Sequence, residues 1–128
     1  MTLFAASIVI WLRDKTEKGI DEQTDGPCHL WERVLLVRAG DPDEAMRKAS
    51  EFGQNDASAN SGDLMDEGKP AELIFMGVRK LREVETTRSS GGALGDVTEV
   101  SASEMEVASR ADLLKLARGN EVIVRYVD

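Results

Sequence analysis

Apolar residues form two long runs near the start of the chain. Residues 3–12 (LFAASIVIWL) are mostly apolar at both odd and even positions, and residues 29–39 are apolar except where Glu32, Arg33 and Arg38 interrupt them. A strand that is covered on both faces shows such a run, whereas a strand with one solvated face alternates. We therefore predict two strands, the first of them central in the sheet. Because they are close in sequence, we expect them to pair antiparallel.

A helix is predicted over residues 41–53. Asp41 can cap its first turn, Pro42 suits the first helical position, and Glu44 completes a capping box. The apolar residues that share one helix face by three-and-four spacing are Ala45, Met46, Ala49 and Phe52. That face is predicted to pack on the sheet, and Gly53 is predicted to end the helix.

The remaining chain predicts three further strands and one further helix. Its segments are a polar loop at 54–69, a strand at 71–84, a flexible serine-glycine connection at 86–95, a partly exposed edge strand at 96–108, a capped helix at 109–118 and a strand at 121–127. The order β-β-α-β-β-α-β fits an α+β fold, with a mostly antiparallel sheet of about five strands and two helices packed on it. A length of 128 residues predicts a single domain over 1–128.

The acidic surplus is concentrated in two stretches. The chain has 24 acidic and 16 basic residues, a net charge of −8, which disfavours binding to nucleic acid or to anionic membranes. Residues 54–68 and 96–106 contain acids and no bases, and their acids equal the whole surplus. These residues are Asp56, Asp63, Asp66, Glu67, Asp96, Glu99, Glu104 and Glu106. If the two stretches lie side by side, they form a patch that attracts a basic protein partner. The alternative is that the acids solubilise a loop and keep an edge strand from pairing.

The single cysteine and the single histidine are adjacent, as Cys28 and His29. Neighbouring side chains of a strand point to opposite faces, so these two are not predicted to act as a nucleophile and its base. One cysteine allows no disulfide within the chain, which makes the cytoplasm the expected compartment. The apolar run at 3–12 is too short to span a membrane and lacks the features of a signal peptide.

Two further sets of residues have a weak chemical signature. The oxygen-bearing residues with the spacing of a calcium loop are Asp56, Ser58, Asn60 and Glu67. Ser61 stands where that loop requires a glycine, so a solvated loop is the preferred interpretation.

The basic cluster of the chain is Arg79, Lys80 and Arg82. Given the negative net charge, we interpret this cluster as part of a charge-balanced surface.

Short motifs within the predicted strands and the first helix carry a family resemblance. They are Phe4-x-Ala6, Trp31-Glu32-Arg33-Val34 with Leu36, Ala39-x-x-Pro42-x-Glu44-Ala45-x-x-Lys48-Ala49 with Gly53, Phe75-x-Gly77-Val78, and Glu99-Val100. This set resembles an uncharacterised bacterial family, the domain of unknown function 4288 (DUF4288), over roughly residues 3–100. The C-terminal helix and strand look like an extension seen in some members. None of the motifs is catalytic, so the resemblance implies no activity.

From the sequence we predict a non-enzymatic cytoplasmic interaction domain, of immunity or regulatory type, that binds a basic protein partner through the acidic residues. One alternative is a small-molecule-binding or metal-binding enzyme with its site between the sheet and the 54–69 loop. Another is a structural homo-oligomer whose fourth predicted strand pairs with its own copy across a two-fold axis. The sequence nominates no catalytic residue, no metal ligand and no cofactor.

Overall fold

The computed structural model describes residues 2–15, 26–84 and 95–127. Its elements in chain order are β1 (Thr2–Asp14), β2 (Cys28–Ala39), α1 (Pro42–Ala59), β3 (Met65–Asp66), β4 (Lys69–Val84), β5 (Val97–Val107), α2 (Arg110–Ala117) and β6 (Arg125–Tyr126). The predicted α+β class is confirmed. The predicted serine-glycine connection lies, apart from Gly95, outside the described residues.

The strands form one sheet in the order β3-β4-β1-β2-β5-β6, and all neighbouring strands run antiparallel. The predicted interior position of β1 is confirmed. The predicted count of about five strands misses β3, because a two-residue strand leaves no periodic signal. The prediction that this strand lies at the edge of the sheet is wrong, because β5 pairs with β2 on one side and with β6 on the other. However, β6 covers only Met105 and Glu106 of β5.

Helix α1 begins as predicted and ends later than predicted. Oδ1 of Asp41 accepts a hydrogen bond from the backbone N–H of Glu44 at 2.8 Å. The predicted stop at Gly53 is wrong, and the helix continues through six residues of the predicted loop to Ala59. Gly53 faces the sheet, where an added Cβ would collide with the ring of Phe75. The glycine therefore serves close packing between helix and sheet.

The two helices cover opposite faces of the sheet. Core residues on the α1 face of β1 and β2 are Phe4, Ala6, Ile8, Ile10, Leu35 and Val37. Core residues around α2 are Val9, Trp11, Cys28, Leu30, Met105, Val107, Leu113, Leu116 and Ala117. The alternation of β1 between these two cores explains why the run at 3–12 is apolar at both parities.

The face of α1 that packs on the sheet consists of small residues. Its buried residues are Ala45, Ala49, Gly53 and Ala57, which follow one another at intervals of four. Met46, predicted to be part of this face, is 41% exposed. Without side-chain bulk on the buried stripe, α1 can approach the sheet closely, and the larger residue is displaced to the side.

The end of α2 packs directly against β4. Two bulges leave Arg79 and Met76 without a partner residue on β1. At the same place Gly77 has a φ of +146°, and its added Cβ would lie 3.4 Å from the carbonyl oxygen of Ala117. Gly119, with a φ of +83°, would bring an added Cβ to 2.7 Å from the carbonyl oxygen of Arg79. Glycines on both elements thus allow two backbones to approach each other.

Candidate functional site

A shallow groove of about 340 Å³ runs between α1 and the start of β5. The residues that line it are Arg47, Lys48, Glu51, Phe52, Asn55, Asp96 and Val97. We call this surface, together with the ion pairs of Arg33 beside it, the α1–β5 groove. Its polar side chains come from α1 and from Asp96, just before β5, and its apolar surface comes from Phe52 and Val97. Charge in the groove is set by how these side chains pair.

Arg33 is shared by two of the predicted acidic residues. It lies on the α1 face of β2, where its Nη1 contacts Oδ2 of Asp56 and its Nε lies 3.4 Å from Oε1 of Glu99. The side chain of Arg33 is only 18% exposed, while that of Glu99 is 40% exposed. One guanidinium therefore meets two carboxylates, and one negative charge stays uncompensated next to solvent. Asp56 and Glu99 belong to different acid-rich stretches, which meet here.

Lys48, on α1 about two turns before Asp56, is likewise shared by two carboxylates. Its Nζ donates a hydrogen bond to the backbone carbonyl of Arg38 at 2.7 Å and lies 3.3 Å from Oε1 of Glu44 and 3.4 Å from Oδ2 of Asp96. Arg47 and Glu51 pair with each other on the outer helix surface and are neutral together. The clusters around Arg33 and Lys48 hold four carboxylates against two cations. The groove therefore has a local surplus of two negative charges.

Glu106 is held by two cationic or polar partners at the other end of β5. Its Oε1 accepts a hydrogen bond from Nη2 of Arg125 at 2.8 Å, and its Oε2 lies 2.7 Å from Nε2 of His29. The hydrogen bond from Arg125 and then that from His29 hold the pKa of Glu106 below the ordinary value of a glutamate. This carboxylate is thus committed to contacts within the protein.

The other predicted acidic residues are distributed over both edges of the sheet. Glu104 lies on β5 at the register position opposite Trp31 and is half-buried. Asp63, Asp66 and Glu67 lie in or next to β3, so β4, β1 and β2 separate them from β5. The structure therefore brings Asp56, Asp96 and Glu99 to the α1–β5 groove and leaves the acids around β3 at the far edge.

Cys28 and His29 point to opposite faces, as predicted from strand geometry. Cys28 is buried in the core around α2, and its Sγ lies 3.7 Å from the carbonyl oxygen of Gly26. His29 contacts Glu106 on the α1 face. Asp56, the first residue of the calcium-like spacing, lies within α1 and contacts Arg33. In residues 2–15, 26–84 and 95–127, no group of three or more His, Cys, Asp or Glu side chains could hold a metal ion.

A larger concave surface, which the sequence did not predict, lies on the opposite face of the sheet. It has a volume of about 740 Å³ and is bounded by α2, by residues 119–124 and by β2, β4 and β5. Apolar lining residues are Met105, Leu116, Val122, Ile123 and Val124, and polar ones include Glu32, Arg79, Asp112, Lys115 and Glu121. We call this surface the C-terminal concavity. Its volume is in the range of small-molecule sites.

Glu32 and Arg79 form an ion pair in the C-terminal concavity. Nε of Arg79 donates a hydrogen bond to Oε2 of Glu32 at 2.5 Å, and the two side chains are 30% and 15% exposed. Lys80 and Arg82, the other members of the basic cluster, are exposed. Sequence signals for this pair existed, because Glu32 interrupts an apolar strand and Gly77 lies between the two bulges, one of which is at Arg79. The contact itself joins residues 47 positions apart and could not be inferred from spacing.

The 54–69 segment, where the sequence placed an alternative enzyme site, also borders a pocket. Asp66 and Glu67 line a small space of about 200 Å³ together with Trp11, His29 and Arg110. The guanidinium of Arg110 lies over the ring of Trp11, 5.2 Å from its centre. Residues 54–59 belong to α1, so the predicted loop contributes only its second half to this pocket. An enzyme site here stays a prediction.

No family model, curated protein or solved structure matches this chain. The resemblance to the DUF4288 family therefore stays a prediction that rests on the sequence motifs. Within the part of the chain that the structure describes, no helix is long and apolar enough to cross a membrane.

Proposed function

We propose that this protein is a non-enzymatic interaction domain that binds a basic protein partner at the α1–β5 groove. The observation that carries the proposal is the sharing of Arg33 and of Lys48 by two carboxylates each. Exposed ion pairs stabilise a fold only slightly, but an uncompensated surplus of charge attracts and orients a partner of opposite charge. Four carboxylates for two cations is such a surplus.

The groove also supplies apolar surface for the stem of a basic side chain. Phe52 and Val97 line it, and the outermost carboxylate, Asp96, has a side chain that is 73% exposed. The methylene stem of a lysine or arginine can lie along Phe52 while its charged end meets Asp96 and Glu99. This combination suits a protein surface with exposed lysines or arginines.

A role as an immunity-type or regulatory protein in the cytoplasm is part of this proposal. Masking a basic surface of a partner requires a small, stable domain with a rigid acidic face. Helix α1 and strand β5 fix the carboxylates of the groove, and Arg33 ties the helix to the strand. A partner would therefore meet a preformed site, which lowers the entropic cost of binding.

The test is affinity capture from cells that naturally produce the protein, with two charge-matched double variants. Asp96→Asn with Glu99→Gln removes charge from the groove, whereas Asp63→Asn with Glu67→Gln removes the same charge at the far edge. We expect the first pair to reduce recovery of a stoichiometric basic partner by about tenfold or more, and to lessen its salt sensitivity. The far-edge pair should leave recovery unchanged. Equal recovery with both pairs, or the absence of any stoichiometric basic partner, would contradict the proposal.

A homodimer through β5 is a second candidate. Because β6 covers only Met105 and Glu106, most of the outer edge of β5 has no strand partner among the described residues. Opposing this, a bulge at Val100 interrupts the register of β5. Light scattering distinguishes the candidates, since a dimer doubles the measured mass and the interaction domain acts as a monomer.

A further inference from the structure

The C-terminal concavity combines an apolar surface with the ion pair of Glu32 and Arg79. The register positions next to Glu32 on its own face are occupied by Val9 of β1, which is fully buried, and by Ser103 of β5. Replacing a buried or half-buried ion pair by apolar residues of similar size is often neutral for stability. The pair of Glu32 and Arg79 is therefore poorly explained as a stabilising contact.

Part of this ion pair is available to a ligand. In the described part of the chain, the hydrogen bond from Nε to Oε2 of Glu32 is the only one that the side chain of Arg79 makes. A guanidinium has five N–H donors, and a carboxylate has a second oxygen with its own lone pairs. Both groups line the concavity and keep 30% and 15% of their side-chain surface exposed. The site thus offers N–H donors beside a carboxylate acceptor, at fixed separation.

From this arrangement we infer that the C-terminal concavity binds a free amino acid with an aliphatic or aromatic side chain. The α-carboxylate of the ligand accepts hydrogen bonds from the terminal nitrogens of Arg79, and its α-ammonium donates to the free oxygen of Glu32. Its side chain packs on Met105, Leu116 and Val122, which line the same space. The inference does not depend on the α1–β5 groove, which lies on the opposite face of the sheet.

The charges around the concavity favour a zwitterion over other ligands. Its lining contains three carboxylates, from Glu32, Asp112 and Glu121, and two cations, from Arg79 and Lys115. A phosphate or another polyanion would meet the three carboxylates, and a simple cation would leave the N–H donors of Arg79 without an acceptor. A zwitterion places each of its charges against the opposite charge of the ion pair, with no net charge brought into the site.

The experiment is isothermal titration of the purified full chain with L-leucine, L-methionine and L-phenylalanine. We expect saturable binding of at least one of them at millimolar or lower concentration. Two probes then remove one charge each, 4-methylpentanoate lacking the ammonium of leucine and 3-methylbutylamine lacking its carboxylate. Each should bind at least about tenfold more weakly than leucine. Glycine, which has no side chain, should bind at least about tenfold more weakly as well.

Two conservative variants assign the site. Arg79→Gln and Glu32→Gln should each abolish saturable binding. Glu72→Gln, which breaks the comparable ion pair of Glu72 with Arg13 elsewhere on the sheet, should leave binding unchanged. Urea unfolding of each variant shows whether it is folded. The comparison of ligands uses only the unaltered protein, so it tests the inference even if a variant does not fold. Absence of binding by all three amino acids, equal binding of leucine and 4-methylpentanoate, or full binding by folded Arg79→Gln would overturn the inference.

Discussion

Substitution of Gly119 by alanine tests the contact that forms one wall of the C-terminal concavity. Gly119 has a φ of +83°, a left-handed conformation that costs a residue with a Cβ about 1–2 kcal/mol. In addition, the new Cβ would lie 2.7 Å from the carbonyl oxygen of Arg79, so the end of α2 or the bulge of β4 must move. Overpacking of this kind costs about 1–3 kcal/mol. We expect Gly119→Ala to lower the free energy of unfolding by about 2–5 kcal/mol.

Gly68→Ala is the matched control. Gly68 has a φ of +80°, nearly the same as that of Gly119, and no described heavy atom lies within 4 Å of its added Cβ. Both substitutions remove a similar unfolded-state entropy of about 0.4–1 kcal/mol. Their difference therefore isolates the approach of Gly119 to Arg79. We expect Gly68→Ala to cost at most about 1–2 kcal/mol.

The assay is urea unfolding followed by tryptophan fluorescence. Trp11 is buried beneath α2, with the guanidinium of Arg110 over its ring, so its part of the emission, which adds to that of Trp31, reports whether α2 is docked. The free energies of unfolding are compared only between variants with the same dependence on urea concentration, because an equal slope indicates that unfolding exposes the same amount of surface. Equal losses for Gly119→Ala and Gly68→Ala would refute the close approach. The wall of the concavity would then be mobile, and the amino-acid site would lack its fixed geometry.

Three further predictions concern packing, electrostatics and capping. Gly53→Ala should lower the free energy of unfolding, measured in urea, by about 1–3 kcal/mol, although alanine usually stabilises a helix relative to glycine. Adding Phe75→Leu to this variant should restore part of the lost free energy. A Gly53→Ala variant more stable than the unaltered protein would contradict the close packing. Arg125→Gln should raise the pKa of Glu106, measured by NMR titration, because it removes the largest cause of the lowered pKa. A pKa that is lower in the folded state stabilises the fold at pH values above the ordinary glutamate pKa, and this stabilisation is lost as the pH falls through the folded-state pKa. The variant should therefore lose less stability on acidification than the unaltered protein. An unchanged pKa of Glu106 would be inconsistent with the contact. Ser109→Ala should cost about 1 kcal/mol in thermal unfolding, because Oγ caps α2 at 3.1 Å, whereas Ser109→Asp should retain most of the stability; equal stability of both would exclude the cap.

Local signals predicted most of the fold. The cap at Asp41 and the apolar runs of β1 and β2 depend on neighbouring residues only, and each element formed where its pattern predicted it. Gly53 misled the prediction because glycine has two roles in helices, ending them and permitting close contact, and only the position of Phe75 decides between them. The predicted strand at 121–127 shrank to Arg125–Tyr126, because Val122 and Val124 pack on the core around α2 without joining the sheet.

The surfaces could be predicted only in part. Charge counting located the acidic stretches, but their relation depends on the strand order, which places β3 and β5 three strands apart. Asp56 reached the groove because α1 extends beyond Gly53, which was the one helix boundary that sequence signals misplaced. The C-terminal concavity depends on two bulges in β4 and on the close contact at Gly119, and neither has a reliable pattern in a single sequence.

Adjacent residues of β2 connect the two surfaces. Because neighbouring side chains of a strand point to opposite faces, Glu32 reaches Arg79 in the C-terminal concavity while Arg33 reaches Asp56 and Glu99 at the α1–β5 groove. Each pair introduces charge into a layer that is otherwise largely apolar, and such pairs add little net stability. A strand that served only the core could have apolar residues at both positions. Two charged contacts back to back are better explained by recognition on both faces, with β2 as the rigid element that holds both sites.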